Sequence, residues 1–165
     1  MEENINIRRI EERDNKAIAK VIRTVMEEFD VARPGTIYFD KVLDDMFAQY
    51  VDAKSVYYVV EQNGTVVGGC GINKLSGAGE EYCELQRMFL LKEFRGRGLA
   101  QQLLDKCMTQ AVVYGYSYCY LESIHEFSTA IRLYKKNGFE HVYGPIGNTG
   151  HFSCEIKMVK PLTES

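Results

Sequence analysis

Two arginines and two glycines within six residues, Arg95-Gly96-Arg97-Gly98-Leu99-Ala100, form the part of this 165-residue chain best suited to hold an anion. The stretch lies between a strand-like segment, residues 82–91, and a segment of helical periodicity, residues 98–114. Glycine permits positive φ and lets the backbone approach a ligand closely. The first turn of the helix that follows leaves several N–H groups without intrahelical partners, and its dipole makes that end positive. A pyrophosphate suits such a turn, and Arg95 and Arg97 add charge. Read alone, the turn also fits a purely structural role. It lacks the Lys-Ser/Thr ending of a nucleoside-triphosphate loop and the GxGxxG order of a dinucleotide fold.

The other reactive side chains form weaker patterns. The five cysteines, Cys70, Cys83, Cys107, Cys119 and Cys154, are odd in number and contain no CxxC pair. That pattern predicts buried free thiols in a reducing compartment. Cys83 adjoins Glu84, but strand alternation predicts that their side chains lie on opposite faces. Cys119 sits within an apolar strand, and neither thiol has a histidine at recognisable spacing, which argues against covalent catalysis. His125, His141 and His151 show no metal-ligand spacing, so no metal site is predicted. His151, in a glycine-rich loop, is either a pocket residue or a loop residue without special role.

The elements that must position these groups follow from periodicity. Residues 5–10 read as a strand. A helix starts at Asp14, its expected N-cap, with Ile18, Val21, Ile22, Val25 and Phe29 on one face. A second helix is predicted over residues 39–50, with Leu43, Met46, Phe47 and Tyr50 inward. Strands at residues 55–61 and 65–75 flank an Asn63-Gly64 hairpin turn. The strand at 82–91 and the helix at 98–114, closed by Gly115, come next. A strand at 117–123, a helix at 127–137 closed by Gly138, and strands at 139–143 and 152–159 complete the chain. The order is strand, two helices, three strands, helix, strand, helix, two strands. This is one α/β domain over residues 1–165, with a mixed central sheet of about seven strands and flanking helices. The unit over residues 82–123 should make its two strands parallel neighbours.

Composition sets outer bounds. The net charge of -3 argues against a nucleic-acid partner. No apolar run approaches the length needed to cross a membrane, and residues 1–9 lack the core of a signal peptide. A cytoplasmic location is expected.

Arg95, Gly98 and Ala100 occupy the defining positions of a Gln/Arg-x-x-Gly-x-Gly/Ala signature. With the preceding Glu84-Leu85-Gln86-Arg87-Met88-Phe89-Leu90-Leu91, the segment resembles motif A of the GCN5-related N-acetyltransferase (GNAT) superfamily. Residues 130–139, which include Leu133-Tyr134-Lys135-Lys136-Asn137-Gly138-Phe139, resemble its motif B. The element order is similar to the family's fold over nearly the whole chain. One departure is Lys92, where many relatives have proline.

The resemblance implies acetyl-CoA as co-substrate and direct acetyl transfer to an amine. The backbone of Met88, Phe89 and Leu90 would pair with the pantetheine arm, which requires the strand at 82–91 to splay from that at 117–123. The amides of Arg95, Gly96, Arg97, Gly98, Leu99 and Ala100 would hold the pyrophosphate. Glu84 matches a catalytic glutamate of the histone-acetylating branch and is the candidate base. Tyr134 matches a tyrosine that donates to the coenzyme A sulfur and is the candidate acid. The alternatives are a solvent-facing or salt-bridged strand residue for Glu84 and core packing for Tyr134. The resemblance places the acceptor groove at residues 14–50 and 144–151, where Glu27, Glu28, Asp30, Asp40, Asp44 and Asp45 give an acidic rim or a merely solvated surface. A small-molecule amine is the expected acceptor. The alternatives are a protein N-terminus or lysine, and a non-catalytic acyl-CoA-binding module. A homodimer is one assembly the resemblance allows.

Overall fold

A computed structural model describes residues 3–162. Seven strands, β1 (Ile5–Arg9), β2 (Val56–Gln62), β3 (Thr65–Lys74), β4 (Tyr82–Leu90), β5 (Tyr118–Ser123), β6 (Glu140–His141) and β7 (Ile156–Pro161), form one sheet of order β1-β2-β3-β4-β5-β7-β6. Helix α1 (Asn15–Glu28) follows β1, α2 (Leu99–Val113) joins β4 to β5, and α3 (Ser128–Lys136) follows β5. β4 and β5 are parallel, as a strand–helix–strand unit requires; the other neighbouring strands are antiparallel.

Both faces of the sheet are covered. On one, Leu103, Leu104 and Cys107 of α2 and Ile131 and Tyr134 of α3 pack against Val60, Ile72, Cys83, Leu85 and Leu121. On the other, Ile18, Ile22 and Met26 of α1 pack against Tyr57, Val59 and Val66. The alternation of Cys83 and Leu85 with Glu84 and Gln86 therefore separates the two thiol-bearing and carboxylate-bearing faces, as predicted.

The predicted helix at residues 39–50 is not one. The chain there makes three short 3-10 segments, Ile37–Phe39, Lys41–Asp45 and Phe47–Tyr50. Asp40 accepts a hydrogen bond from Val42 N (3.1 Å) and starts a fresh turn, and Asn15 Oδ1 takes the Phe47 N–H (2.7 Å) that a continuous helix would need. The inward residues survive because their three-residue spacing suits a 3-10 turn equally well. Leu43, Met46 and Tyr50 are buried and Phe47 is half-buried.

Asp14 occupies the N-cap position of α1, as expected, but its side chain does not cap the helix. Its carboxylate is buried and accepts hydrogen bonds from Arg8 Nη1 (2.8 Å), Arg8 Nη2 (2.9 Å) and Glu11 N (2.7 Å). Burial opposes ionisation, but these donors prevail and hold the carboxyl below its usual range. The predicted strands at 139–143 and 152–159 shorten to β6 and β7. Phe139 turns into the core against Tyr134, and residues 151–154 form a turn closed by Cys154 N to His151 O (3.4 Å).

Two features of β4 matter most. Its pairing with β5 runs only from Tyr82–Tyr118 to Glu84–Tyr120, so the edge beyond Glu84 faces a gap. Its pairing with β3 contains a bulge: Gly69 opposes Phe89 and Gly71 opposes Gln86, which leaves one extra residue on β4. Arg87, inside the bulge, has φ of 57°. Tyr57 lies across Gly69 and Gly71 and donates from its hydroxyl to Arg87 O (2.7 Å). A Cβ on Gly69 would sit 2.7 Å from the Tyr57 hydroxyl oxygen. Gly69→Ala should therefore displace Tyr57 and cost about 1–3 kcal/mol, measured by urea unfolding. An unchanged midpoint would mean that Tyr57 does not hold the bulge.

Candidate active site

The gap between β4 and β5 opens into a cavity of about 580 Å³, within the range of small-molecule sites. It reaches both faces of the sheet. Met88, Phe89 and Leu90 line it from the stretch of β4 whose edge toward β5 is unpaired, although Phe89 and Leu90 still pair with β3 on the other edge. α2, α3 and the glycine turn close one side. α1, the chain around Thr36 and Ile37, His151 and Cys154 close the other.

The turn before α2 has the predicted form. Gly96 and Gly98 have φ of 75° and 79°, values that L side chains rarely adopt. No side chain caps α2 at Gly98, and the first intrahelical bond is Gln102 N to Gly98 O (3.1 Å). The N–H groups of Leu99, Ala100 and Gln101 therefore donate to no acceptor among the described residues. Arg95, Gly96, Gly98, Leu99 and Ala100 line the cavity; Arg97 does not.

The arginine charges are less available than their type suggested. Arg95 is held by Glu28 through two hydrogen bonds (2.9 and 2.8 Å) and by Leu90 O (3.0 Å), and its guanidinium lies over the Phe29 ring. Arg97 bonds Glu3 (2.6 Å) and covers Phe94. The donors left open in this turn are backbone amides, and Arg95 braces the turn against α1.

Glu84 faces the cavity from the α1 side of the sheet and is 8% exposed. Burial pushes its carboxyl up to about 7; a hydrogen bond from Gln86 Nε2 to Oε1 (2.6 Å) opposes the rise and the nearby Glu122 adds to it. Gln86 Oε1 in turn accepts from Tyr50 OH (2.7 Å), which accepts from Arg87 Nη1 (3.0 Å). A carboxyl so placed exchanges its proton near neutral pH, as a general base requires.

Tyr134 lines the cavity from α3, on the other face, with its hydroxyl 3.9 Å from Met88 Sδ. Burial raises its phenol well above its ordinary value, so it stays protonated and acts as a hydrogen-bond donor rather than a strong acid. The thiols are poor nucleophiles. Burial pushes Cys119 up, and Cys107 is raised by its hydrogen bond with Cys70 as well as by burial. The thiol that reaches the cavity is Cys154, which spacing did not single out, and burial raises it to about 11.

His151 lines the cavity and contacts Asp40 (3.4 Å). None of the six acidic residues of the expected rim lines it. Glu28 is held by Arg95, Asp44 by Arg23 and Asp45 by Asn15. The cavity carboxylates are instead Glu84, Glu122 and Glu126. His125, Glu126 and Glu155 bring three ligand-type atoms within 4.8 Å of one another, a grouping that histidine spacing did not indicate. His125 and Glu155 are exposed and paired with each other at 2.6 Å. Sequence reasoning also missed Arg87; its one signal was a charge directly before the apolar run 88–91.

Similarity to known proteins agrees with this geometry. The model of the acetyltransferase (GNAT) family matches residues 20–139. An Escherichia coli (strain K12) protein named as an uncharacterized N-acetyltransferase, YjgM, is 43% identical over 157 residues, 94% of each chain. A GNAT-family acetyltransferase structure from Staphylococcus aureus Mu50 has a TM-score of 0.85 at 20% identity, over 97% of this chain and 100% of that one. The structure of YncA from Salmonella typhimurium with its cofactor acetyl-CoA has a TM-score of 0.75 at 20% identity, over 98% and 96%. At such identities these two speak for the fold, and the family match and the YjgM relative carry the assignment. The chain belongs to the acetyltransferase (GNAT) family and is an enzyme of that family.

Proposed function

We propose that the enzyme transfers the acetyl group of acetyl-CoA directly to a primary amine of a small molecule. The observation that carries this reading is the cavity in the β4–β5 gap, with Glu84 on one face of the sheet and Tyr134 on the other. The glycine turn and the unpaired edge of β4 suit a pyrophosphate and an amide-bearing arm on the Tyr134 side. The amine then enters from the Glu84 side.

In this reading Glu84, acting directly or through water, accepts the proton of the ammonium group. The freed lone pair attacks the thioester carbonyl, a C–N bond forms and the C–S bond breaks. The sulfur leaves with the bonding pair. Tyr134 donates a hydrogen bond to it, and the second proton that the nitrogen sheds as the amide forms passes through water to the thiolate. No covalent enzyme intermediate is needed, in keeping with the raised thiols.

A roof over the acceptor side favours a small molecule. Ser153 Oγ donates to Pro34 O (2.6 Å), Arg33 pairs with Glu126 (3.0 Å) and His151 contacts Asp40, so residues 33–40 are tied to residues 126–153.

The test is release of coenzyme A thiol from acetyl-CoA against a panel of amines, with the acetylated product identified by mass. Turnover that depends on an amine supports the reading. Binding of acetyl-CoA without acetylation of any amine would make the domain a non-catalytic acyl-CoA module. Tyr134→Phe should lower kcat by about ten- to hundredfold while leaving the Kd for acetyl-CoA unchanged. A wild-type kcat in that variant would reduce Tyr134 to a packing residue.

A further inference from the structure

We propose that Arg87 anchors a carboxylate of the acceptor, so that the amine acetylated here belongs to an amino acid or another carboxylate-bearing amine. The inference rests on the acetyl transfer proposed above and names its substrate class.

Arg87 differs from the arginines around it. Arg95 is matched by Glu28 and Arg33 by Glu126, whereas Arg87 takes part in none of the ion pairs among the described residues. Its Nη1 donates to Tyr50 OH (3.0 Å) and contacts Met46 Sδ (3.6 Å). Its Nε and Nη2 donate no hydrogen bond among the described residues, although the side chain is half-buried and lines the cavity. A guanidinium carries five donors in a planar fork, and a carboxylate is the group that takes two of them side by side.

The side chain is also held in place. Tyr50 ends one of the 3-10 segments and Met46 lies between two of them, both packed on the α1 side, so the guanidinium lies on the same face as Glu84. It sits 5.7 Å from the centroid of the Tyr50 ring. The left-handed backbone at Arg87, unusual for a residue with a side chain, is maintained by Tyr57. The chain of bonds from Arg87 through Tyr50 and Gln86 to Glu84 sets a fixed cation and a proton acceptor in one network. A molecule carrying both an amine and a carboxylate complements that pair.

The acidic groups of the cavity are largely engaged. Glu122 accepts from Tyr120 OH (2.7 Å) and from Thr149 Oγ1, and Glu126 Oε2 accepts from Arg33 (3.0 Å). The buried Oε1 of Glu126, 3.4 Å from His125 Nδ1, accepts no hydrogen bond among the described residues and would favour a second cation instead. The test therefore includes amines without a carboxylate.

Three matched sets are assayed by thiol release with wild type, Arg87→Gln and Arg87→Lys: α-amino acids, their primary amides and the corresponding decarboxylated amines. Acetyl-CoA binding reports that each variant is folded. Wild type should prefer the acid over its amide by about ten- to hundredfold in kcat/KM. Arg87→Gln should bring that ratio to near one, chiefly by raising KM for the acid, and Arg87→Lys should restore part of it. Equal or better use of the amides or decarboxylated amines by wild type overturns the anchor while leaving acetyl transfer intact. So does a variant that slows all three sets alike. Acetylation of no amine overturns both proposals.

Discussion

Glu84→Gln should lower kcat/KM at pH 8 by about a hundredfold or more and remove its rise with pH around 7. Glutamine keeps the size of the side chain and its place beside Gln86 but cannot take a proton. In the wild type, kcat/KM should climb with pH through a single ionisation near 7, because only the carboxylate form is a base. The opposite trend is expected for stability. The folded carboxyl titrates at about 7, raised from 4.5, mainly because it is buried. Below about 4.5 the neutral acid sits in the fold at no ionisation cost. As pH rises through 7 the folded protein must ionise a buried group that the unfolded chain ionised earlier, so this contribution to stability is lost. Glu84→Gln avoids that loss. It should be more stable than wild type at pH 8, by the order of 2 kcal/mol, and nearly equal to it at pH 4.5. Denaturant unfolding at the two pH values checks this beside the pH–rate profile. A variant that is inactive and also less stable at pH 8 would point to a structural carboxylate. One that turns over at the wild-type rate at every pH would remove Glu84 from the chemistry.

Gly98→Asp should weaken acetyl-CoA binding by about a hundredfold or more. The substitution sets a negative charge beside the N–H groups of Leu99, Ala100 and Gln101, where the diphosphate is proposed to lie. Gly98 has φ of 79° and open space around its missing Cβ, so the new side chain meets no wall. Only backbone strain remains, of about 1 kcal/mol. Asparagine carries the same strain without the charge, so Gly98→Asn separates the two effects. Calorimetry should show a modest loss for asparagine and a near-complete one for aspartate. Equal losses would mean that conformation, not the anion site, governs the turn.

Much of this arrangement is legible locally. The turn at 95–100 announces its helix through glycine and through the change of period that follows. The parallel pairing of β4 and β5 follows from a crossover that local pattern already implies, whereas the place of β7 between β5 and β6 does not. The segment read as a second helix, residues 39–50, shows why period alone fails there. Leu43, Met46 and Tyr50 repeat at a spacing common to α and 3-10 turns, and the interrupting partner, Asn15, lies about thirty residues earlier.

The same limit applies inside the site. Arg95 reads as a phosphate ligand until Glu28, from a different element, takes its guanidinium. The bulge at Arg87 has no local cause. It depends on Tyr57 from β2 reaching over Gly69 and Gly71 to a carbonyl on β4. Gly69 and Gly71 stand out in the sequence as small residues, but the tyrosine that needs their space does not. Glu84 could be proposed from motif position, yet its poise near neutral pH arises from burial and from Gln86 and Glu122, which only the folded chain assembles.

The central claim is that the cavity between β4 and β5 takes acetyl-CoA for transfer. Titration of acetyl-CoA into the folded wild-type protein by calorimetry tests it most directly. The titration should show one site per chain of micromolar strength, with competition by coenzyme A. A folded protein that gives no binding with acetyl-CoA would contradict it and leave the glycine turn a structural feature.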